Sequence, residues 1–497
     1  MLRESVPSAD PDATIAGEPA ARGRRALWII TALAVLAAAL RLPYVWTGLS
    51  TDEGGYAYVA QQWSRGARLY DTAWLDRPQG LLLTYRGLLA LGESGWAIRV
   101  LVVLIGAAMT VLIASIGALL AGRRLAIAAA AVYAIVGVAP HLEGFTLNGE
   151  LLATVPATAS VAAVLQWRRS RHAAWLLGAG VLAGLALAMK QSGFDGLVVG
   201  LALALGVAGA WRARLVSAAV FLAGFVVPII ALVVDGWSRG WSRYWTALAG
   251  YQLSSFDSAH NNADTRWTEL VGSLPFMLWD IGAVIVIALL GLWLLPSGGR
   301  RPLVWWLIAG LVAVNLGGSY WTHYYVQLLP PLILAASYAA VAVASRGLRV
   351  ALAAVLVVPA LAWMVAVLPL STKVHERAIP YFASAIRDRH IAAAVDAETR
   401  PDQRIYVLES EALLYFLAQR PTTYPYVWGM PIKKIPSAVP RLRTMLEAND
   451  RPTVVILDTP DANSVDPSGG IASDLARYYH PDRIVDGVQI LRANDTT

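Results

Sequence analysis

The sequence predicts an α-helical polytopic membrane protein of about eleven transmembrane helices, followed by a C-terminal soluble α/β domain outside the membrane. Three observations carry this reading. The 497 residues are 57% hydrophobic and only 15% charged, with a mean hydropathy of +0.54, whereas soluble chains carry roughly 25% charge. Apolar runs of near-bilayer length recur from residue 26 to 370, parted in turn by arginine-bearing and acid-bearing loops. Beyond 370 the runs shorten, and strand-like segments alternate with helix-like ones.

Composition also excludes. There is no Gly-X-Y period, heptad run or repeat of roughly 20 to 50 residues, which removes collagen, coiled coils and solenoids. The net charge of +7 is spread as arginines between apolar runs rather than gathered in one patch, so it reads as membrane topology and not as a nucleic-acid surface. With no cysteine there is no disulfide, no thiolate metal ligand and no thiol nucleophile. HExxH, EF-hand and Walker A signatures are missing, as is a GxGxxG between strand and helix; this disfavours ATP or a nucleotide-sugar donor.

Residues 1–25, with Pro7, Pro11, Pro19 and Arg22, Arg24 and Arg25, read as a disordered cytoplasmic tail. The run from Ala26 to Leu40 reads as a retained span, since no cleavage site follows it. Ten further runs follow at 100–122, 125–140, 151–167, 173–189, 196–211, 215–234, 271–296, 303–318, 324–345 and 350–370. Arg123-Arg124, Arg168-Arg169, Arg212 with Arg214, Arg300-Arg301, and Arg346 with Arg349 occupy every second connection, which puts those loops and the N-terminus in the cytoplasm. An odd number of spans then puts the C-terminus outside. Every acid between 26 and 370, from Asp52 to Asp280, falls on the outer side or in the outer part of a span.

Residues 26–370 therefore form a membrane domain with long outer loops at 45–96 and 235–269, and 371–497 an extracytoplasmic α/β domain. In that domain Ile405–Leu408, Val454–Leu457 and the segment from Val488 read as strands; 411–419, 439–448 and 471–479 read as helices.

The candidate chemistry lies on the outer face. Asp52 and Glu53 stand beside Gly54-Gly55, with Tyr56, Tyr58 and Trp63 following at helical spacing. One reading is an acidic first helical turn capped by Thr51 or Asp52; the other is a catalytic carboxylate. Asp76-Arg77-Pro78 allows a local salt bridge, or an arginine for a phosphate and a carboxylate for a metal or hydroxyl. Asp76, Glu143 and either His260 or His323 could supply oxygen and imidazole ligands to a divalent metal, and a lone His323 is otherwise a hydrogen-bonded interfacial residue. No other cofactor is expected.

Asp52-Glu53 after the first span, the Asp76-Arg77-Pro78 turn, Lys190 closing the fifth span, and His323-Tyr324-Tyr325 through Pro331 opening the tenth resemble GT-C glycosyltransferases. The nearest branch is the bacterial polyprenyl-phosphate-mannose protein mannosyltransferase and aminoarabinose transferase group, and the resemblance covers about residues 26–345. Relatives commonly carry Lys-Pro-Pro where this chain has Arg77-Pro78-Gln79, which keeps the cation. The resemblance implies a multi-pass cell-membrane enzyme that takes a sugar from a polyprenyl-phosphate donor in the membrane lipid. The acceptor would be a hydroxyl of a glycan, lipid or protein, and the transfer would invert. It implies Asp52 as general base, with Glu53 beside it, Arg77 and Lys190 on the donor phosphate, and Asp76, Glu143, Glu150, His260, His323 and Tyr324 around substrate or a metal. The alternative from another class is a multispan lipid or sugar transporter or flippase, which calls for charges at mid-depth and inverted repeats; neither is visible.

Overall fold

Apolar runs with no competing polar face become helices, because only intrahelical hydrogen bonds satisfy the backbone away from water. The computed structural model describes residues 17–92, 94–206, 210–256, 262–367, 379, 384–408, 412–458 and 461–494. Each expected apolar run folds as a helix. In chain order these are α1 (Gly17–Ala39), α4 (Trp96–Ala121), α5 (Arg123–Val136), α6 (Gly149–Ser170), α7 (Ala173–Met189), α8 (Asp195–Leu205) and α9 (Trp211–Ser238). Then come α12 (Ala263–Leu294), α13 (Ser297–Leu316), α14 (Leu329–Ala342) and α15 (Arg346–Val367). The long connection after α1 supplies α2 (Thr51–Ser64) and α3 (Gln79–Leu89), and the one after α9 supplies α10 (Trp241–Trp245) and α11 (Tyr251–Phe256).

By length and composition, 7 of these segments can cross a membrane: Gly23–Trp46, α4, α6, α9, α12, Thr322–Ala342 and α15. α7 and α8 are shorter apolar helices, and α5 has 14 residues, a length more typical of a helix held among neighbours. Two boundaries differ from expectation. α1 starts at Gly17, inside the stretch expected to be a disordered tail, where Ala20 and Ala21 favour helix. α12 starts at Ala263, inside the expected outer loop, behind an Asn262 cap whose side chain accepts from the Thr265 N–H.

The bundle closes through small residues. α7 packs on α6 and α9, α4 on α5, and α12 on α14. A Cβ on Gly180 would sit 1.9 Å from the Phe221 carbonyl, and one on Gly224 2.0 Å from that of Leu177, so α7 and α9 meet backbone to backbone.

After the bundle come α16 (Ala385–Glu398), β1 (Ile405–Leu408), α17 (Ala412–Ala418), α18 (Gly429–Lys434), α19 (Ala438–Glu447), β2 (Val454–Leu457), α20 (Gly470–Tyr478), β3 (Tyr479–Val485) and β4 (Val488–Ala493). The strands form one sheet in the order β1-β2-β4-β3. β1 and β2 are parallel, with Ile405 opposite Val454. β4 runs antiparallel to both β2 and β3. The α/β unit does not stand clear of the bundle. Its α17 packs on α2, where Tyr58 stacks on Tyr415 at 5.1 Å and the Gln61 amide donates to Gln419 at 2.8 Å.

Candidate active site

α2 starts where it does because of its own sequence. Ser50 caps it: the Ser50 hydroxyl accepts from the Glu53 N–H at 3.2 Å, and the Glu53 carboxylate accepts from the Ser50 N–H at 2.9 Å. This corrects the expectation of Thr51 or Asp52 as the cap. Neither is needed, because the Ser-x-x-Glu box begins one residue earlier.

The box separates the two adjacent acids. Glu53 is fully buried, and both its oxygens are engaged: Oε1 accepts from the Leu147 N–H at 2.8 Å, while Oε2 meets the Arg99 guanidinium at 2.9 Å. Arg99 also donates to the Phe145 carbonyl at 3.0 Å. Glu53 and Arg99 thus join the start of α2 to the 137–148 connection. Asp52, in the first turn of α2 and near its positive end, keeps its side chain 22% exposed. Among the described residues its one hydrogen bond comes from the Tyr56 hydroxyl at 3.4 Å, and His323 Nε2 lies 4.0 Å away.

Around Asp52 the structure gathers most of the residues singled out from sequence. His323, in a 3-10 turn ahead of α14, faces Glu143 at 3.3 Å and Glu150 at 3.8 Å. Glu143 is buried in a left-handed backbone conformation (φ 59°), a strained placement for a non-glycine residue. Burial raises its carboxyl above the usual range, and His323 opposes the shift. Glu150 sits in the first turn of α6 behind the Asn148 cap. Lys190, just past the end of α7, contacts Glu150 directly and lies 4.2 Å from the Tyr324 ring centroid. Burial and then the neighbouring Arg77 pull its ammonium down, while Asp52 and Asp76 push the other way.

Arg77 pairs with Asp76, and its Nε has no hydrogen-bond partner among the described residues. It also lies within electrostatic range of Asp52, Tyr56 and Tyr324. Asp76 is braced from two sides: the Gln252 amide donates to its carboxylate at 2.7 Å, and the Gln191 amide to its carbonyl at 2.6 Å. The outcome is two cations, each paired with an acid, beside Asp52, the most exposed carboxylate of the group, an arrangement that can receive an anionic group beside a potential base.

Asp52, Asp76, Arg77, Glu143, Glu150, Lys190, His323 and Tyr324 come together, while Glu53 is turned away toward Arg99. His260 lies outside the described residues. No group of three His, Cys, Asp or Glu side chains among the described residues is placed to hold a metal ion; Asp76 is engaged by Arg77 and Gln252, whereas Glu143 faces His323. Arg99, Gln191 and Gln252 were not singled out from sequence. Arg99 had a readable signal: it directly abuts an apolar run at the end opposite the arginine-bearing connections that alternate along the chain. The two glutamines carried none.

Residues 76–237 match the family of dolichyl-phosphate-mannose-protein mannosyltransferases. Among solved structures, the chain is similar to ArnT from Cupriavidus metallidurans bound to undecaprenyl phosphate. The TM-score is 0.62 at 15% identity, over 96% of this chain and 98% of that one. The apo form of the same protein gives 0.63 at 14% identity, over 95% and 98%. The archaeal oligosaccharyltransferase AglB from Archaeoglobus fulgidus, in complex with an inhibitory peptide and a dolichol-phosphate, gives 0.52 at 13% identity, over 88% and 70%. No curated protein sequence matches the chain significantly. At these identities the structural likeness shows a shared fold, the GT-C fold expected from the motifs.

Proposed function

We propose that this membrane glycosyltransferase moves a sugar from a polyprenyl-phosphate carrier to an acceptor hydroxyl at the outer membrane face, with inversion. The observation that carries the reading is the unequal fate of two neighbouring acids. Glu53 has both oxygens committed, whereas Asp52 is partly exposed and lightly bonded, beside Arg77 and Lys190. An undecaprenyl phosphate in ArnT and a dolichol-phosphate in AglB support a lipid-phosphate donor, since both proteins share this fold.

In this reading Arg77 and Lys190 take the donor phosphate, with Lys190 exchanging part of its contact with Glu150 for the phosphate oxygens. Asp52 accepts the proton of the acceptor hydroxyl as that oxygen forms its bond to the anomeric carbon. The bond from the anomeric carbon to the phosphate oxygen breaks, and the lipid phosphate departs with the electron pair. Its low basicity removes the need for a strong general acid. Partial exclusion of water strengthens both cation contacts.

Asp52→Asn tests the assignment. The amide keeps the shape but accepts no proton, so transfer falls about 100- to 10,000-fold while undecaprenyl phosphate binding persists. Ser50 supplies the cap, so helix stability changes little. An Asp52→Asn protein with full transfer activity rejects Asp52 as the base. Arg77→Gln or Lys190→Gln weakens capture of the lipid phosphate instead.

A further inference from the structure

A cavity of about 320 Å³ opens between α2, the 67–73 turn and the 422–427 segment that leads from α17 to α18. No charged residue lines it. Gln62, Thr72, Thr422 and Thr423 supply amide and hydroxyl groups among small apolar side chains, and Tyr58 and Tyr424 contribute ring wall, their hydroxyls being engaged by the Thr422 N–H and the Ala438 carbonyl. Thr72 Oγ1 accepts from the Arg68 N–H at 2.9 Å, which leaves its own proton to donate. The size and the mixture of apolar wall with a few polar groups match a ligand site.

Its position ties it to Asp52. Tyr58 stands six residues beyond Asp52 on the same helix, a rise of about 9 Å. The segment on the far wall runs back toward that end: the Thr422 N–H donates to the Tyr58 hydroxyl at 3.0 Å, and the Trp428 ring lies 5.9 Å from that of Tyr56. A row of rings leads from the cavity to the phosphate side. Tyr424 meets Tyr426 at 5.4 Å, Tyr426 meets Trp74 at 5.3 Å, and Trp74 meets Tyr251 at 5.2 Å, next to the Gln252 that holds Asp76. These rings are buried and packed edge to face on one another, so they form a rigid wall between the cavity and the phosphate side, while the hydroxyl and amide groups of the cavity lining suit the hydroxyls of a saccharide.

We propose that this cavity is the acceptor subsite and takes a neutral saccharide portion of the acceptor, an inference that rests on the transferase reading above. An anionic acceptor segment would be desolvated there with no counter-charge, which disfavours it. The α/β unit then contributes directly to acceptor choice through residues 422–427.

The test uses the full chain in lipid nanodiscs, free of sugar-headed detergent, with binding followed by saturation-transfer NMR. The probes are mannotriose, trigalacturonate and a neutral threonine-rich peptide. Mannotriose is expected to bind, with trigalacturonate and the peptide at least about tenfold weaker. Thr423→Trp, at an exposed lining position, fills the cavity and weakens mannotriose about tenfold or more; Gln62→Ala, which removes only an amide, weakens it by a smaller factor. Undecaprenyl phosphate binding is unchanged in both. Absence of mannotriose binding, equal binding of trigalacturonate or the peptide, or mannotriose binding unaltered in both variants overturns the proposal. If undecaprenyl phosphate fails to bind while mannotriose binds and responds to Thr423→Trp, the donor assignment fails and the saccharide site stands.

Discussion

Asp52 and Glu53 show how one peptide bond can separate a reactive group from a structural one. Glu53 is buried with Arg99, and removing one charge of such a pair strands the other, typically at about 3–5 kcal/mol. Glu53→Gln is therefore expected to lower thermal stability strongly. The double change Glu53→Gln with Arg99→Met recovers part of it, whereas Asp52→Asn unfolds at nearly the wild-type temperature. Equal losses from Glu53→Gln and Asp52→Asn would contradict this division. Glu143 adds a pH signature. Burial raises its carboxyl above the ordinary value of 4.5, so the folded state holds this proton more tightly than the unfolded chain does. Stability from this group is present at low pH and is lost as pH rises through the raised value. Relative to wild type, Glu143→Gln should gain stability as pH rises from about 4.5 toward neutrality, read as a widening difference in Tm. A difference that stays flat or narrows would show that Glu143 is not held in this way. The acid pair itself was legible because charges are scarce in such a chain. Which acid would be free was not, since that depends on Leu147 and Arg99, residues far away in sequence.

At the scale of elements, α2 joins the two parts of the molecule through Gly54 and Gly55. A Cβ on Gly54 would lie 2.2 Å from Leu413 Cδ1 and 2.8 Å from the Leu413 Cα, and one on Gly55 2.3 Å from the Trp428 ring. In an isolated helix, Gly→Ala stabilises by about 1 kcal/mol. Here the sign should reverse: Gly54→Ala and Gly55→Ala push the α/β unit off α2 and expose the connections around 399–404 and 422–428 to protease. Faster cleavage in limited proteolysis is the expected result, and unchanged cleavage would mean that the contact yields without loss. In the α/β unit the segments read as helices fold as α17, α19 and α20, whereas α16 and the short α18 were not read from the sequence. β3 was not, because Pro481 and a run of polar residues hide a strand on the sheet edge, where such residues are tolerated. The Asp486-Gly487 turn between β3 and β4, with φ of 46° and 82°, was the available hairpin signal.

At the scale of the whole molecule, the chemistry gathers at one end of the bundle. Residues 50–53, 76–77, 143–150, 190–191, 252 and 322–324 lie far apart in sequence and meet around Asp52, while Arg123, Arg168, Arg300 and Arg346 lie in the helix ends next to the intervening connections, which return the chain to the other end. Asp280, inside the long α12, keeps to the same pattern: its carboxylate accepts from the His141 and Leu142 N–H groups at 2.9 and 3.0 Å, and so belongs to the connection that carries Glu143. Because cytoplasmic loops retain excess Arg and Lys, the expected orientation puts the arginine end in the cytoplasm and the Asp52 end outside. The α/β unit rests on α2 and must share its side. Reporter fusions after Arg124 and Arg169 are therefore expected to give cytoplasmic signals, and a fusion at Thr497 an external one. The contact between α17 and α2 makes the last measurement decisive for the chemistry as well: a cytoplasmic signal from Thr497 would carry Asp52 to the inner face with it and remove the outward-facing transfer.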